Sequence, residues 1–319
     1  MAPVPPEITH DVQNIHTALT YAVPDQEALV NIIGRREYQQ LVTIAHHYKA
    51  VYGVDLAAEL DKRIIGSVGS LLSGACMHRV LAEVHHLHRS GKSSRKYEAL
   101  RKKDTPLGVF CEILIGRTSD DLRELHEAFM TLHGVSLLEH VNAHFKDEVI
   151  KTFFTAIVQH KEETPLEDVE DTIEKLRSLL YAHDMNGLLV YVSSLTTEQL
   201  RMLVRSYNKK HMDAHVVTTI HKVVAPKSKS EHVDILLFAV MQAADPPRHV
   251  SLLMEQSMAG LGTNEDQLSR LVVLNRGKFM DKVKTAYQID YSRTLADRIR
   301  GDTSGLYSNL ICHLINQTI

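Results

Sequence analysis

The chain has no tryptophan, three cysteines and no apolar run approaching the roughly 18–20 residues that span a bilayer. Cys76, Cys111 and Cys312 are scattered, odd in number and set in apolar surroundings. They read as small buried hydrophobes of a reducing compartment; there is no CxxC pair to suggest a metal or redox site. The net charge is −3, without the basic excess of a nucleic-acid binder, so no nucleic-acid partner is expected. Met1 to Pro6 offers neither a basic n-region nor an apolar h-region. The expectation is a cytoplasmic protein without a signal peptide or transmembrane segment, meeting membranes only peripherally. HExxH is absent, and no nucleophile–base or paired-carboxylate arrangement is legible, so no enzyme is expected. Alternating strand-like runs are scarce, and the fold class follows as all-α.

What is present is helical periodicity, and it repeats. Ile44, Tyr48, Tyr52, Leu56 and Leu60 form an apolar stripe at helical spacing. The spacing returns in Leu125, Phe129, His133 and Leu137, in Leu203, Tyr207, His211 and His215, and in Val283, Tyr287, Tyr291 and Leu295. The ring anchors at 48, 129, 207 and 287 are separated by 81, 78 and 80 residues. A fixed step of that size marks repeated small helical domains. Four copies fill the chain of 319 residues: a tail at 1–9, then copies at 10–85, 92–160, 168–243 and 248–319. Each has room for about five helices joined by short connections. Ser90 to Ser94, Lys161 to Pro165 and Asp245 to Pro247 read as the linkers, with Pro165 and Pro246 just ahead of new helices.

One copy carries a loop the others lack. Met258-Ala259-Gly260-Leu261-Gly262-Thr263-Asn264-Glu265 has two glycines bracketing a leucine, a backbone that can turn sharply and expose its carbonyls. Forty residues after Gly262, Asp302 stands in the turn cluster Gly301-Asp302-Thr303-Ser304-Gly305. Carbonyls with one carboxylate suit a hard cation, and calcium accepts such oxygens at about 2.3–2.6 Å. A dinucleotide loop is excluded, since Glu265 occupies the third glycine of GxGxxG. Tyr287 follows Gly262 by 25 residues and precedes Asp302 by 15, so the equivalent positions in the other copies can be located. They are Val23 and Arg63, then Asp104 and His144, then Ala182 and Lys222. Only the fourth copy is equipped.

Four helical copies with Met-x-Gly-x-Gly-Thr and an acid forty residues on resemble an annexin. The likeness covers the whole chain and is strongest in copy four. In copy two, Glu112 to Thr118 with Leu122-Arg123 also resembles the repeat. The resemblance implies a slightly curved disc of four five-helix repeats with Ca2+ as cofactor. It implies the carbonyls of Met258, Gly260 and Gly262 plus bidentate Asp302 as ligands, Thr263 and Glu265 as a secondary site, and Leu261 as the contact with the bilayer. The implied partner is an anionic phospholipid surface. The departures are Asn275 where the family carries arginine, with Arg276 beside it, and Leu195 at that position in copy three. Retaining one loop is similar to divergent protist annexins such as the giardins.

The 20 histidines include His85 and His88 on one helical face, a pairing that nothing nearby completes as a metal site. They read as solvated or satisfied groups that gain charge near pH 6. Basic runs at Lys92 to Lys103 and at Lys222, Lys227 and Lys229 read as solvated faces, or as calcium-independent attraction to acidic headgroups or sulfated glycans. Two functional readings compete: calcium-dependent membrane binding, helped by self-association, and a membrane- or cytoskeleton-associated scaffold, with cytoskeletal protein partners, that has nearly abandoned calcium.

Overall fold

A computed structural model of the chain describes residues 5–90, 105–159, 161, 164–166 and 168–316. Twenty α-helices and no strand occur among the described residues. In chain order they fall into four sets of five. The first is α1 (Pro6–Thr20), α2 (Gln26–Gly34), α3 (Tyr38–Tyr52), α4 (Leu56–Arg63) and α5 (Ser67–Cys76). The second is α6 (Arg79–Ser90), α7 (Pro106–Leu114), α8 (Ser119–His133), α9 (Leu137–His144) and α10 (Glu148–Val158). The third is α11 (Val169–Tyr181), α12 (Met185–Ser194), α13 (Thr197–Lys210), α14 (Val216–Thr219) and α15 (Ser230–Ala244). The fourth is α16 (Pro246–Met258), α17 (Glu265–Leu274), α18 (Lys278–Tyr291), α19 (Leu295–Asp302) and α20 (Gly305–Ile315).

The repeat is written in packing and in caps. Tyr48, Phe129, Tyr207 and Tyr287 each sit in the third helix of their set and are buried. Each meets the ring four residues on, Tyr52, His133, His211 or Tyr291, with centroids 4.6–5.0 Å apart. The second helix of every set starts on a side-chain cap, from Asp25, Thr105, Asp184 or Asn264, which accepts the backbone N–H three residues later. The apolar stripe does not run along one helix, however: α3 stops at Gly53, left-handed at φ 74°, and Leu56 opens α4. Gly134 ends α8 the same way.

Two compact units result. One holds α1–α5 with α17–α20 and most of α16; the other holds α7–α15. In the first, α5 packs on α4, α17 and α20, and α2 packs on α20. There Arg276, not Asn275, ties elements together: it donates to the carbonyls of Ala75 (2.8 Å) and Val273 (3.2 Å) and lies over the Tyr38 ring. Burial pushes its pKa down to about 10. In the second unit α10 packs on α12 and α7 on α15. Lys161 there donates to the carbonyls of Ser193 and Leu195, at the position where arginine is missing.

Some expectations shift. α6 runs across residue 85, where periodicity ended the first copy, so we propose to divide the copies at 77–78, ahead of that helix. Pro246 is the first residue of α16, but α11 starts at Val169, well after Pro165. The linker at 91–94, the basic run at Lys92 to Lys103 and the loop position Asp104 lie outside the described residues. All three cysteines are free and buried, and burial pushes the Cys76 thiol up to about 12. Among the described residues no helix is long and apolar enough to cross a membrane.

His249 is 4% exposed, packs edge-on against Phe238 and bonds Gln242 at 2.9 Å. Burial lowers its pKa from 6.5 to about 4. Below pH 6.5 the unfolded chain therefore binds this proton and the native chain does not, so stability present above pH 6.5 is lost as pH falls toward 4. Urea unfolding across that window is expected to show a smaller acid-side loss for His249→Gln, by up to about 3 kcal/mol. An unchanged slope would contradict this. Phe129→Ala, which empties a fully buried site, is expected to cost about 3–5 kcal/mol in the same measurement.

Candidate cation-binding loops

The fourth set brings its two expected segments together at one end. α16 ends at Met258, and Gly260 (φ 85°) and Gly262 (φ 76°) turn the chain through left-handed conformations closed to most side chains. The Asn264 N–H then donates to the Ser257 carbonyl (2.7 Å) and the Asn264 side chain caps α17. Leu261, between the glycines, is 99% exposed. Across from it, Asp302 is the last residue of α19; the N-cap of α20 is Ser304. Thr263 joins the segments, its hydroxyl donating to the Asp302 carboxylate. Met258, Thr263 and Asp302 are thus brought to one place. Glu265 faces elsewhere: its carboxylate accepts from Ser67 and its carbonyl from the Tyr307 hydroxyl.

Sequence reasoning missed what stands inside this cradle. Arg298, one turn before Asp302 on α19, donates through Nη1 to Asp302 Oδ1 (3.0 Å) and through Nη2 to the Met258 carbonyl (2.7 Å). Its Nε donates to Glu255 (3.1 Å), which also accepts from the Tyr287 hydroxyl and from Arg293. Arg298, Glu255 and Asp302 are only 13–20% exposed. Burial lowers the Arg298 pKa, but the bonds to Asp302 and Glu255 raise it more, and the group stays charged. The signal was the i, i+4 spacing within Asp297-Arg298-Ile299-Arg300-Gly301-Asp302.

The other sets hold cations or rings where the acid is lost. In the first, Arg63 donates through one Nη2 to the carbonyls of Leu19 (2.7 Å) and Tyr21 (2.6 Å). The offset of 239 residues that takes Arg63 to Asp302 takes Leu19 to Met258 and Tyr21 to Gly260. In the third, the expected Lys222 is displaced. After α14 the helix widens to a π turn over Ile220–Val224 and tightens over Ala225–Lys227, so Lys227 precedes α15 by three residues as Asp302 precedes α20. His183 Nδ1 donates to the Val223 carbonyl (2.8 Å), leaving Nε2 to accept from Lys227 (3.1 Å). In the second, His144 ends α9 and stacks at 4.8 Å on Phe110.

The oxygens at 258–302 suit a hard cation: one carbonyl and one carboxylate already converge on a positive group. Among the described residues no three His, Cys, Asp or Glu side chains group as metal ligands, so backbone carbonyls must complete any set.

Four sets of five helices joined through such loops define a helical four-repeat protein. The family model for annexins matches residues 10–74 and 248–314, the first and last sets. Annexin A8 of Pan troglodytes is 22% identical over 314 residues, covering 96% of this chain and 91% of that protein. The structure of an annexin A8 mutant with an intact N-terminus superposes with a TM-score of 0.83 at 20% identity, covering 99% of this chain and 97% of that one. That of calcium-bound alpha-14 giardin gives 0.78 at 16% identity, covering 96% and 99%. Over nearly its whole length the chain is similar to annexins, and it shares their fold.

Removing the Arg63 guanidinium leaves two converging carbonyls without their donor. Arg63→Ala is expected to destabilise the unit by about 1–2 kcal/mol in thermal melts, equally with and without calcium. A loss that calcium restores would contradict the assignment of Arg63 as the resident cation.

Proposed function

We propose that this protein binds anionic phospholipid surfaces in a calcium-dependent manner through the loops of its fourth repeat. The observation that carries the reading is the meeting of Met258, Thr263 and Asp302 beside a fully exposed Leu261. The carbonyls of Met258, Gly260 and Gly262 and the carboxylate of Asp302 are the ligands, with Thr263 and Glu265 as a secondary set. Calcium held there supplies positive charge and open coordination positions for lipid phosphoryl oxygens. Thr263 orients the carboxylate, and the left-handed glycines present the carbonyls. Leu261 enters the interface, contributing about 1–2 kcal/mol if largely desolvated. A single carboxylate implies weak affinity without lipid, toward about 10⁻⁴–10⁻³ M. One loop gives little avidity, so self-association strengthens residence. The protein is cytoplasmic and peripheral.

A second reading is a membrane- or cytoskeleton-associated scaffold largely independent of calcium, with cytoskeletal proteins or sulfated glycans as partners. It is favoured by Arg63 and by the His183–Lys227 pair, which close two of the remaining repeats without metal. Sedimentation with phosphatidylserine vesicles across a calcium series separates the two. Wild type is expected to pellet with calcium, Asp302→Ala to require at least about tenfold more, and Leu261→Ala to bind about tenfold more weakly. Equal pelleting of wild type and Asp302→Ala at every calcium level would leave the scaffold.

A further inference from the structure

Two repeats of this chain place an arginine on the loop carbonyls. In the first repeat Arg63 stands at the acid's own position, and a single guanidinium nitrogen satisfies the carbonyls equivalent to those of Met258 and Gly260. Its loop is closed by a cation the chain carries permanently. In the fourth repeat the acid is kept, yet Arg298 reaches in from one turn earlier and takes Met258 O and Asp302 Oδ1 together. Those are two of the four oxygen sources assigned to the metal. Calcium requires such oxygens at about 2.3–2.6 Å. A guanidinium already donating to both, at 2.7 and 3.0 Å, leaves no room for a second cation there, and like charge opposes its approach.

The same guanidinium is held from behind. Glu255 accepts from Nε, and Glu255 is itself fixed by the Tyr287 hydroxyl and Arg293. Burial first, and then the bond to Glu255, raise the Tyr287 pKa, which keeps that hydroxyl a donor. Arg298 can therefore release Met258 and Asp302 while retaining its bond to Glu255, turning the terminal nitrogens out of the cradle. Giving up two charge-assisted hydrogen bonds is a penalty that any metal must overcome.

We propose that Arg298 is an internal competitor for the calcium position of the fourth repeat, setting the calcium level at which the loop becomes available to membranes. The proposal rests on the reading of that loop as a calcium site. It makes Arg298 an affinity-determining residue, and Arg63 its permanent counterpart in the first repeat. The opposite role is also definable: Arg298 could pre-organise the Met258 carbonyl and the Asp302 carboxylate, and its loss would then weaken calcium binding.

The test uses the full chain as wild type, Arg298→Met, Arg298→Lys and Asp302→Ala. Two readouts are taken: the shift of melting temperature with calcium chloride alone, and the calcium midpoint for sedimentation with phosphatidylserine vesicles. Arg298→Met keeps the length and packing of the stem without donors, and its midpoint is expected to fall about tenfold or more. Its melting temperature should begin to rise at correspondingly lower calcium. Arg298→Lys keeps a charge but loses the fork, and is expected between the two. Should Arg298→Met fail to fold by circular dichroism, Arg298→Lys decides, and a midpoint at or above wild type overturns the proposal. Equal or weaker calcium response in Arg298→Met, with Asp302→Ala unresponsive, overturns the competitor and leaves the calcium site standing. No calcium response in wild type and in both arginine variants overturns the site and the competitor together.

Discussion

Backbone carbonyls turned toward one point repel one another unless a positive charge stands among them. Where two loops of a repeat meet, this chain satisfies that constraint in different ways. Arg63 supplies the charge directly in the first repeat. In the third, the carbonyl of Val223 accepts from His183, which in turn accepts from Lys227. In the fourth, Asp302 adds a carboxylate, and Arg298 balances it while occupying the carbonyl of Met258. What differs among these three repeats is which side chain supplies the charge: Arg63, Lys227 through His183, or Arg298.

That view links the weakening of the calcium motif to stability. Replacing a dissociable ion by a side chain makes the loop independent of calcium level, at the loss of a response to it. The first repeat has made the exchange completely. The fourth holds both a tethered cation, Arg298, and a carboxylate, Asp302; on the proposed reading this is the arrangement of a site that responds only above a threshold. Glu255, clamped by Tyr287 and Arg293, keeps Arg298 in place without consuming the nitrogens that face the cradle.

Much of this was legible in the sequence. The ring anchors at 48, 129, 207 and 287 mark the third helix of each set because a large buried side chain recurs wherever the packing recurs. Asp302 and the two glycines were found because oxygen donors and left-handed turns leave a compositional trace. Fixed offsets failed where length changes inside a helix: α14 runs on through the π turn at Ile220–Val224 and the tighter turn at Ala225–Lys227, so the lysine that precedes α15 is 227 and not 222. The apolar stripe hid the break at Gly53, since Tyr52 and Leu56 keep helical spacing across it. Arg298 was invisible for another reason. An arginine four residues from an aspartate is common on helix surfaces, and only the structure shows that its fork also reaches a carbonyl forty residues back.

The central claim is that the membrane is met through the loop at Leu261 and not through the equivalent loops of other repeats. The native cysteines are buried, so a nitroxide can be placed on a single introduced cysteine, at Leu261 or at its third-repeat equivalent Tyr181. Power-saturation accessibility to oxygen and to a nickel chelate, measured on phosphatidylserine vesicles, then reports depth. On adding calcium, the label at 261 is expected to move into the bilayer interface while the label at 181 stays in water. Equal immersion of both labels, or immersion of the label at 181 alone, would contradict the account.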